Sequence, residues 1–247
     1  MENLTIVLNG PKHPGNIGAV ARCAKNMGIN SIIVVNPLDA DRKKIEQLAT
    51  HFALDIVEKI QYFDRLNLAL APFNHIVGTT GRSGDTNLKR SMIYPGKMAE
   101  EIADISQNNR VALLFGPEDR GLTNSELKYC DLLVKIPTSE ELKSINLSHA
   151  VMIICYEIFT ARAEVTSVFT PKLATLAEME AMYEHLGEIF VRIGFIKAQN
   201  PDYWMTNVRH LFSRTKLLAR DVKIIRGICH QVDLYGKGKI GYSKETV

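Results

Sequence analysis

The feature that most constrains this chain is an alternation. Across its first 165 residues, short β-branched apolar runs take turns with helical patterns. Leu4 to Asn9, Ser31 to Asn36, Asn74 to Thr79, Arg110 to Gly116 and Leu132 to Pro137 read as strands. These runs are almost continuously apolar rather than alternating, which is the pattern of strands covered on both faces. Helical patterns fall at about Gly18 to Met27, Asp41 to Phe52, Tyr62 to Ala71 and Pro95 to Ser106, and a last one at Asn146 to Ala163 follows the final run. The expected fold class is therefore α/β, a parallel sheet with helices on both faces.

The rhythm stops at about Thr166 to Pro171, beyond which no segment reads as a strand. Thr175-x-x-Glu178 has the spacing of a capping box and opens a helix running to about Ile193, with Leu176, Met179, Tyr183, Leu186, Ile189 and Phe190 on one face. Further helices are expected at Trp204 to Leu218 and Asp221 to Leu234, and a tail from Gly236. The organisation expected is an α/β domain over 1–165, a linker over 166–171 and a small all-α domain over 172–247.

Composition matters here only when divided. The 247 residues carry a formal charge of +3, which by itself decides nothing. Residues 1–165 hold 18 Lys and Arg against 19 Asp and Glu, a balance of −1, whereas residues 166–247 hold 12 against 8, a balance of +4. The basic excess thus belongs to the helical part, where Arg209, Arg214, Lys216, Arg220, Lys223 and Arg226 are dense enough to meet phosphates. A solvated helix face is the alternative reading of the same charges.

Several classes are disfavoured. Met1-Glu2-Asn3 lacks the basic and apolar regions of a signal peptide, and the longest uncharged run, Leu66 to Gly81, contains Pro72, Asn74 and His75. Cys23, Cys130, Cys155 and Cys229 are scattered, without a zinc-type pair or a disulfide framework, so no membrane association and a reducing cytoplasm are expected. No HExxH, Walker loop or GxGxxG is present, and no metal is expected.

Three segments carry chemistry. Lys12 to Arg22 leaves the first strand for the first helix with Gly15 and Gly18 beside Asn16 and Arg22, a polar pair placed near a helix N-terminus, where anions are favoured. Leu114 to Asn124 puts Glu118 in a glycine-bearing loop at a strand's C-terminal end, where open α/β sheets bind ligands. Ile136-Pro137 and Leu142 to Ala150 form a polar loop before the last helix. Each alone is also compatible with an ordinary turn.

Together, in this order, they resemble the three motifs of the SPOUT class of RNA methyltransferases, in its TrmH-like 2′-O-ribose branch: NxGAxxR as Asn16 to Arg22, FGxExxGL as Phe115 to Leu122, and SxNLS as Ser144 to Ser148. The helical part, with Val208 to Arg214 and Ile225 to Ile228, resembles the C-terminal region of TrmJ-type enzymes. The resemblance implies a C-terminal trefoil knot, S-adenosylmethionine as cofactor, tRNA as substrate at position 32 of the anticodon loop, and a homodimer. The alternatives are 2′-O-methylation of ribosomal RNA or of another tRNA position, and, more remotely, a non-catalytic RNA-binding role.

The resemblance also implies roles. Arg22 leads the catalytic set, with Asn16, Glu118, Ser144 and Asn146 around it. A guanidinium keeps its proton to a pKa above ~12, so Arg22 is read as a phosphate or oxyanion anchor rather than a general base. Cofactor contacts are implied at Thr79, Thr80, Gly81, Gly116, Ile136, Lys143, Ser144, Ile145 and Leu147. RNA contacts are expected at Arg82 and Arg90, which flank a polar loop, and at Arg209, Arg214 and Lys216. Tyr203 and Trp204, beside Pro201 at a helix start, are expected to be core and staple residues, with base stacking as the other possibility.

Overall fold

The structure, a computed structural model, describes residues 1–81, 92–162, 170–196, 201–212 and 215–236. The chain divides into two compact units, Met1–Pro171 and Lys172–Val247. Residues 166–169 of the expected linker lie outside the described residues.

Seven strands form the sheet of the first unit: β1 (Leu4–Asn9), β2 (Ile32–Val35), β3 (Gln61–Phe63), β4 (His75–Thr79), β5 (Met92–Ile93), β6 (Val111–Phe115) and β7 (Leu132–Val134). Their spatial order is β3-β2-β1-β6-β4-β7-β5, and every pairing is parallel. All six residues of β1 and all five of β6 are buried, which accounts for their lack of polar alternation. Helices α1 (Pro14–Asn26), α2 (Arg42–Ala49), α3 (Leu54–Glu58), α4 (Leu66–Leu70), α5 (Pro95–Ile105), α6 (Asn124–Leu127) and α7 (Leu147–Arg162) complete the unit.

Three expectations change. Tyr62 stands in strand β3 rather than at a helix start, and β5 has no counterpart among the expected strands. Both strands lie at sheet edges and neither has a buried residue, so no buried apolar run marks them and backbone pairing with a neighbour defines them. The helix expected from Asp41 to Phe52 breaks: Asp41 caps α2 by accepting from the N–H groups of Lys43 and Lys44, and Thr50 turns the chain with φ 56°. Finally, α1 starts at Pro14 rather than Gly18, because proline's preset φ suits the first helical position.

Gly18 shows why the first motif folds as it does. A Cβ there would lie 2.1 Å from the carbonyl oxygen of Ile45 and 2.9 Å from the nitrogen of Ala49, so the backbones of α1 and α2 touch at that residue. The other end of the unit is pinned through side chains: Asn109 Nδ2 donates to the Pro171 carbonyl at 3.0 Å, and Thr170 Oγ1 donates to that of Asp104 at 3.0 Å.

The second unit contains α8 (Leu176–Arg192), α9 (Pro201–Phe212) and α10 (Ala219–Gly236). Its core is Ala174, Met182, Tyr183, Leu186, Ile189, Val222 and Cys229, with Met179, Phe190, Met205, Val208 and Phe212 packed against it. The Thr175 capping box is present: Thr175 N donates to Glu178 Oε2 at 2.8 Å, and Glu178 N donates to Thr175 Oγ1 at 3.3 Å. The helix expected to reach Leu218 ends at Phe212.

Candidate active site

The sheet order creates a switch point between adjacent β1 and β6. From β1 the chain moves toward β2, and from β6 toward β7 on the other side. The loops leaving the two strands flank this point, the usual ligand position in open α/β sheets. They are tied together. Glu118 Oε1 accepts from Asn16 Nδ2 at 2.7 Å, Glu118 Oε2 accepts from Lys12 N at 2.9 Å, and Lys12 Nζ meets Asp119 Oδ2 at 2.7 Å.

The third motif joins from the start of α7. Asn146 Nδ2 donates to Asn16 Oδ1 at 3.2 Å, while Asn146 Oδ1 accepts from Ser148 N at 2.9 Å and Ser148 Oγ at 2.7 Å. A chain of hydrogen bonds thus runs from Ser148 through Asn146 and Asn16 to Glu118. Its direction is forced, because an ionised carboxylate only accepts and the backbone N–H of Ser148 only donates. Each amide is held in one orientation. Burial opposes the charge on Glu118, but hydrogen bonds from Asn16 and from the backbone N–H groups of Lys12, Glu118 and His13 outweigh it and hold the carboxyl below its ordinary range.

Glu118 also stands in the wall of a cavity of about 430 Å³. All nine residues expected to contact a cofactor line this cavity: Thr79, Thr80, Gly81, Gly116, Ile136, Lys143, Ser144, Ile145 and Leu147. They converge because β4, β6 and β7 are sheet neighbours around β4, so their C-terminal loops share one edge. Gly116 is the tightest point: a Cβ there would lie 2.4 Å from the Gly121 carbonyl carbon and 2.5 Å from the nitrogen of Leu122. The loop between Gly116 and Leu122 curls that closely on itself. Val134, Ile136, Ile145, Leu147 and Ala150 supply apolar lining, while Lys143 and Asp119 bring charge.

Among the five catalytic expectations, Glu118 and Ser144 line the cavity, and Asn16 and Asn146 share the hydrogen-bond chain that ends on Glu118. Arg22 is placed differently from its sequence reading. With α1 starting at Pro14, Arg22 lies in the third turn, outside the reach of the helix N-terminus, and its six-residue step from Asn16 puts the two about 120° apart around the helix. It is exposed, and among the described residues no hydrogen bond joins it to the chain.

Arg82, Arg90 and Arg214 lie outside the described residues. Lys216 is exposed beyond α9. Arg209 is engaged within its own unit: its two terminal nitrogens meet the Glu180 carboxylate at 2.5 and 2.6 Å, and its guanidinium lies 4.3 Å above the Tyr183 ring. Tyr203 and Trp204 are exposed, which overturns the core reading for both. Lys12 and Ser148 bond within the site although the sequence reading gave neither a role there. The Asn146 to Ser148 spacing, that of a side-chain cap on a helix start, was the available signal for the second. Among the described residues no group of three or more His, Cys, Asp or Glu is placed to hold a metal ion, and no helix is long and apolar enough to cross a membrane.

Comparison with known proteins gives two family matches. The SpoU rRNA Methylase family matches residues 3–156, and the family described as tRNA methyltransferase TrmJ, C-terminal domain, matches residues 177–241. A tRNA (cytidine/uridine/adenosine-2′-O-)-methyltransferase TrmJ of Pseudomonas aeruginosa (strain UCBPP-PA14) is 32% identical over 251 residues, covering 96% of each chain. A tRNA (cytidine/uridine-2′-O-)-methyltransferase TrmJ of Pectobacterium atrosepticum is 35% identical over 237 residues, covering 94% of this chain and 97% of the other. Among solved structures, TrmJ from Z. mobilis ZM4 has the same fold, with a TM-score of 0.78 at 23% identity over 93% of this chain and 98% of that one.

Proposed function

The chain belongs to the SpoU methylase family, with a TrmJ C-terminal domain behind the methylase domain, and on that premise we propose that it is an S-adenosylmethionine-dependent tRNA ribose 2′-O-methyltransferase. In this reading it acts in the cytoplasm as a homodimer, on cytidine or uridine at position 32 of the anticodon loop. The observation that carries it is the convergence of the three motif loops. One forced chain of hydrogen bonds ends on Glu118, and Glu118 borders a cavity lined by every residue expected to hold the cofactor.

The residues present fit S-adenosylmethionine. The cavity has the size of small-molecule and cofactor sites, roughly 300–1,000 Å³, and combines an apolar wall with polar rims. Ile136, Ile145 and Leu147 would cover the adenine, and the glycine cradle at Gly116 lets backbone come close, which no side chain there would permit. When bound, S-adenosylmethionine supplies an electrophilic methyl group on a sulfonium sulfur.

The protein's own task is then positional: it must hold a ribose hydroxyl still beside that methyl group, and alignment of this kind supplies much of a rate enhancement. Asn16 and Asn146, locked by Glu118 and Ser148, each keep a second amide hydrogen for an incoming oxygen. Glu118 is a holder of Asn16 rather than a base, since the hydrogen bonds it accepts keep its carboxyl below the ordinary range and weaken it as a proton acceptor. Arg22, exposed on α1, is the anchor for an RNA phosphate. The passage of residues 135–146 beside the loops after β4 and β6 is read as part of the trefoil knot. Tyr156 and Phe159, exposed on α7, form a surface that a second copy would cover.

The test is incubation of the purified chain with labelled S-adenosylmethionine and a mixture of unmodified total tRNA and unmodified ribosomal RNA, followed by mapping of the labelled nucleotide. Label on the ribose at position 32 is expected, and Arg22→Ala should abolish most of it. Label confined to ribosomal RNA, the substrate in the name of the matched methylase family, would overturn the tRNA assignment and leave the reaction class standing.

A further inference from the structure

A second carboxylate stands behind the loop that carries Glu118. Glu126, in the first turn of α6, has a side chain only 19% exposed, and it gathers donors from three places. Its Oε1 accepts from Asn9 Nδ2 at 2.7 Å, while its Oε2 accepts from Thr123 N at 2.6 Å and lies 3.4 Å from Arg120 Nη1. Burial opposes the charge, yet hydrogen bonds from Thr123, Arg120 and Asn9 outweigh it and hold the carboxyl below its ordinary range.

A helix cap explains only part of this. Glu126 and Thr123 form a capping box, and the exchange between those two residues is all that the start of α6 requires. The bond to Asn9 reaches back 117 positions, to the buried last residue of β1. An ionised carboxylate only accepts, so the Asn9 amide is fixed with its nitrogen toward Glu126.

Asn9 and Glu126 thus make a second bridge between the β1 and β6 sides of the switch point. The first is Glu118, which accepts from Lys12 N and Asn16 Nδ2. Between the two bridges the loops touch: a Cβ at Gly10, where φ is 62°, would lie 3.3 Å from Pro117 Cγ. Residues 116–121 all line the cavity, and Gly121 N donates to the Pro117 carbonyl at 2.9 Å, closing the loop on itself. A loop curled this tightly shifts as a unit, so a displacement at its Thr123 end is carried to Glu118 and through it to Asn16.

We propose that Glu126, acting through Asn9 and Thr123, is a positioning residue for methyl transfer: it sets the loop that holds Glu118 and forms one wall of the cavity. The proposal rests on the methyltransferase reading above and adds to it a residue that stands behind the cavity wall.

Asn9→Asp is nearly isosteric and sets one carboxylate against another. Measured as kcat per S-adenosylmethionine-binding site, turnover should fall by about 10- to 100-fold, the range in which a displaced group costs rate, with KM for tRNA little changed. Adding Glu126→Gln should restore most of it, because the new glutamine gives an amide hydrogen to the new aspartate and keeps its oxygen for Thr123 N. Asn9→Ala removes the donor without adding a charge, so it should cost less than Asn9→Asp.

Turnover per binding site separates positioning from folding, since a variant that merely unfolds loses sites and keeps its rate per site. Wild-type turnover per site in Asn9→Ala, or in Asn9→Asp, would overturn the proposal and leave the enzyme reading intact. A loss in Asn9→Asp that Glu126→Gln leaves in place would do the same. A wild-type chain that methylates no RNA overturns the methyltransferase reading and this inference with it.

Discussion

Glu118 illustrates how one residue's chemistry follows from its neighbours. Its folded pKa lies below the ordinary carboxylate value, so its hydrogen bonds stabilise the protein at pH above the unfolded pKa of about 4.3, and that stabilisation is lost as pH falls through the lower folded value. Glu118→Gln replaces an acceptor by an amide facing the donors of Asn16 and Lys12. The stability gap between wild type and variant should therefore be full at neutral pH and close below about pH 4, as followed by urea unfolding across pH. Turnover should drop about a hundredfold, the scale on which a misplaced group costs rate, with binding of S-adenosylmethionine much less affected. A gap independent of pH would show that Glu118 is not the charged anchor of the chain. Arg22 is the opposite case: its motif position was legible, but its placement was not, because Pro14 starts the helix earlier than the pattern suggested.

Among the elements, the crossing of α1 and α2 carries the sharpest expectation. Gly18→Ala puts a methyl group against the backbone of Ile45 and Ala49, which cannot yield as a side chain can, and should cost about 3 kcal/mol by denaturant midpoint. Gly15→Ala is the contrast. Its added Cβ would lie 2.8 Å from Leu48 Cδ1, the far end of a flexible, half-exposed side chain, so a loss below about 1 kcal/mol is expected. Equal losses at the two glycines would mean that the helices do not meet at Gly18. Much at this scale was readable in advance. Strands β1, β2, β4, β6 and β7 coincide with apolar runs, and the capping box at Thr175 is a local pattern whose hydrogen bonds close within four residues. Strands β3 and β5 and the break at Thr50 were not readable, since pairing with a distant strand or an unusual backbone angle defines them.

At the scale of the whole molecule, the charge divides between an α/β part at −1 and a helical part at +4. Shortening the chain to residues 1–171 should leave S-adenosylmethionine binding in place and weaken tRNA binding. Its salt dependence should flatten by roughly 0.7–0.9 in the logarithmic slope for each RNA phosphate that the helical part neutralises. Unchanged, salt-sensitive tRNA binding by the shortened chain would show that the helical part does not grip the substrate. By itself, the sequence determined the class of fold, the order of its main elements and the three motif segments, because periodicity, caps and motif spacing are properties of neighbouring residues. Only the tertiary structure decided that Ser148, Asn146, Asn16 and Glu118 form one directed chain, that Arg209 is held by Glu180 and Tyr183, and that Tyr203 and Trp204 face solvent. Those facts depend on which strands lie side by side and which helix faces meet. Residues about 30 to 130 positions apart are brought within hydrogen-bonding distance by a packing that no local pattern encodes.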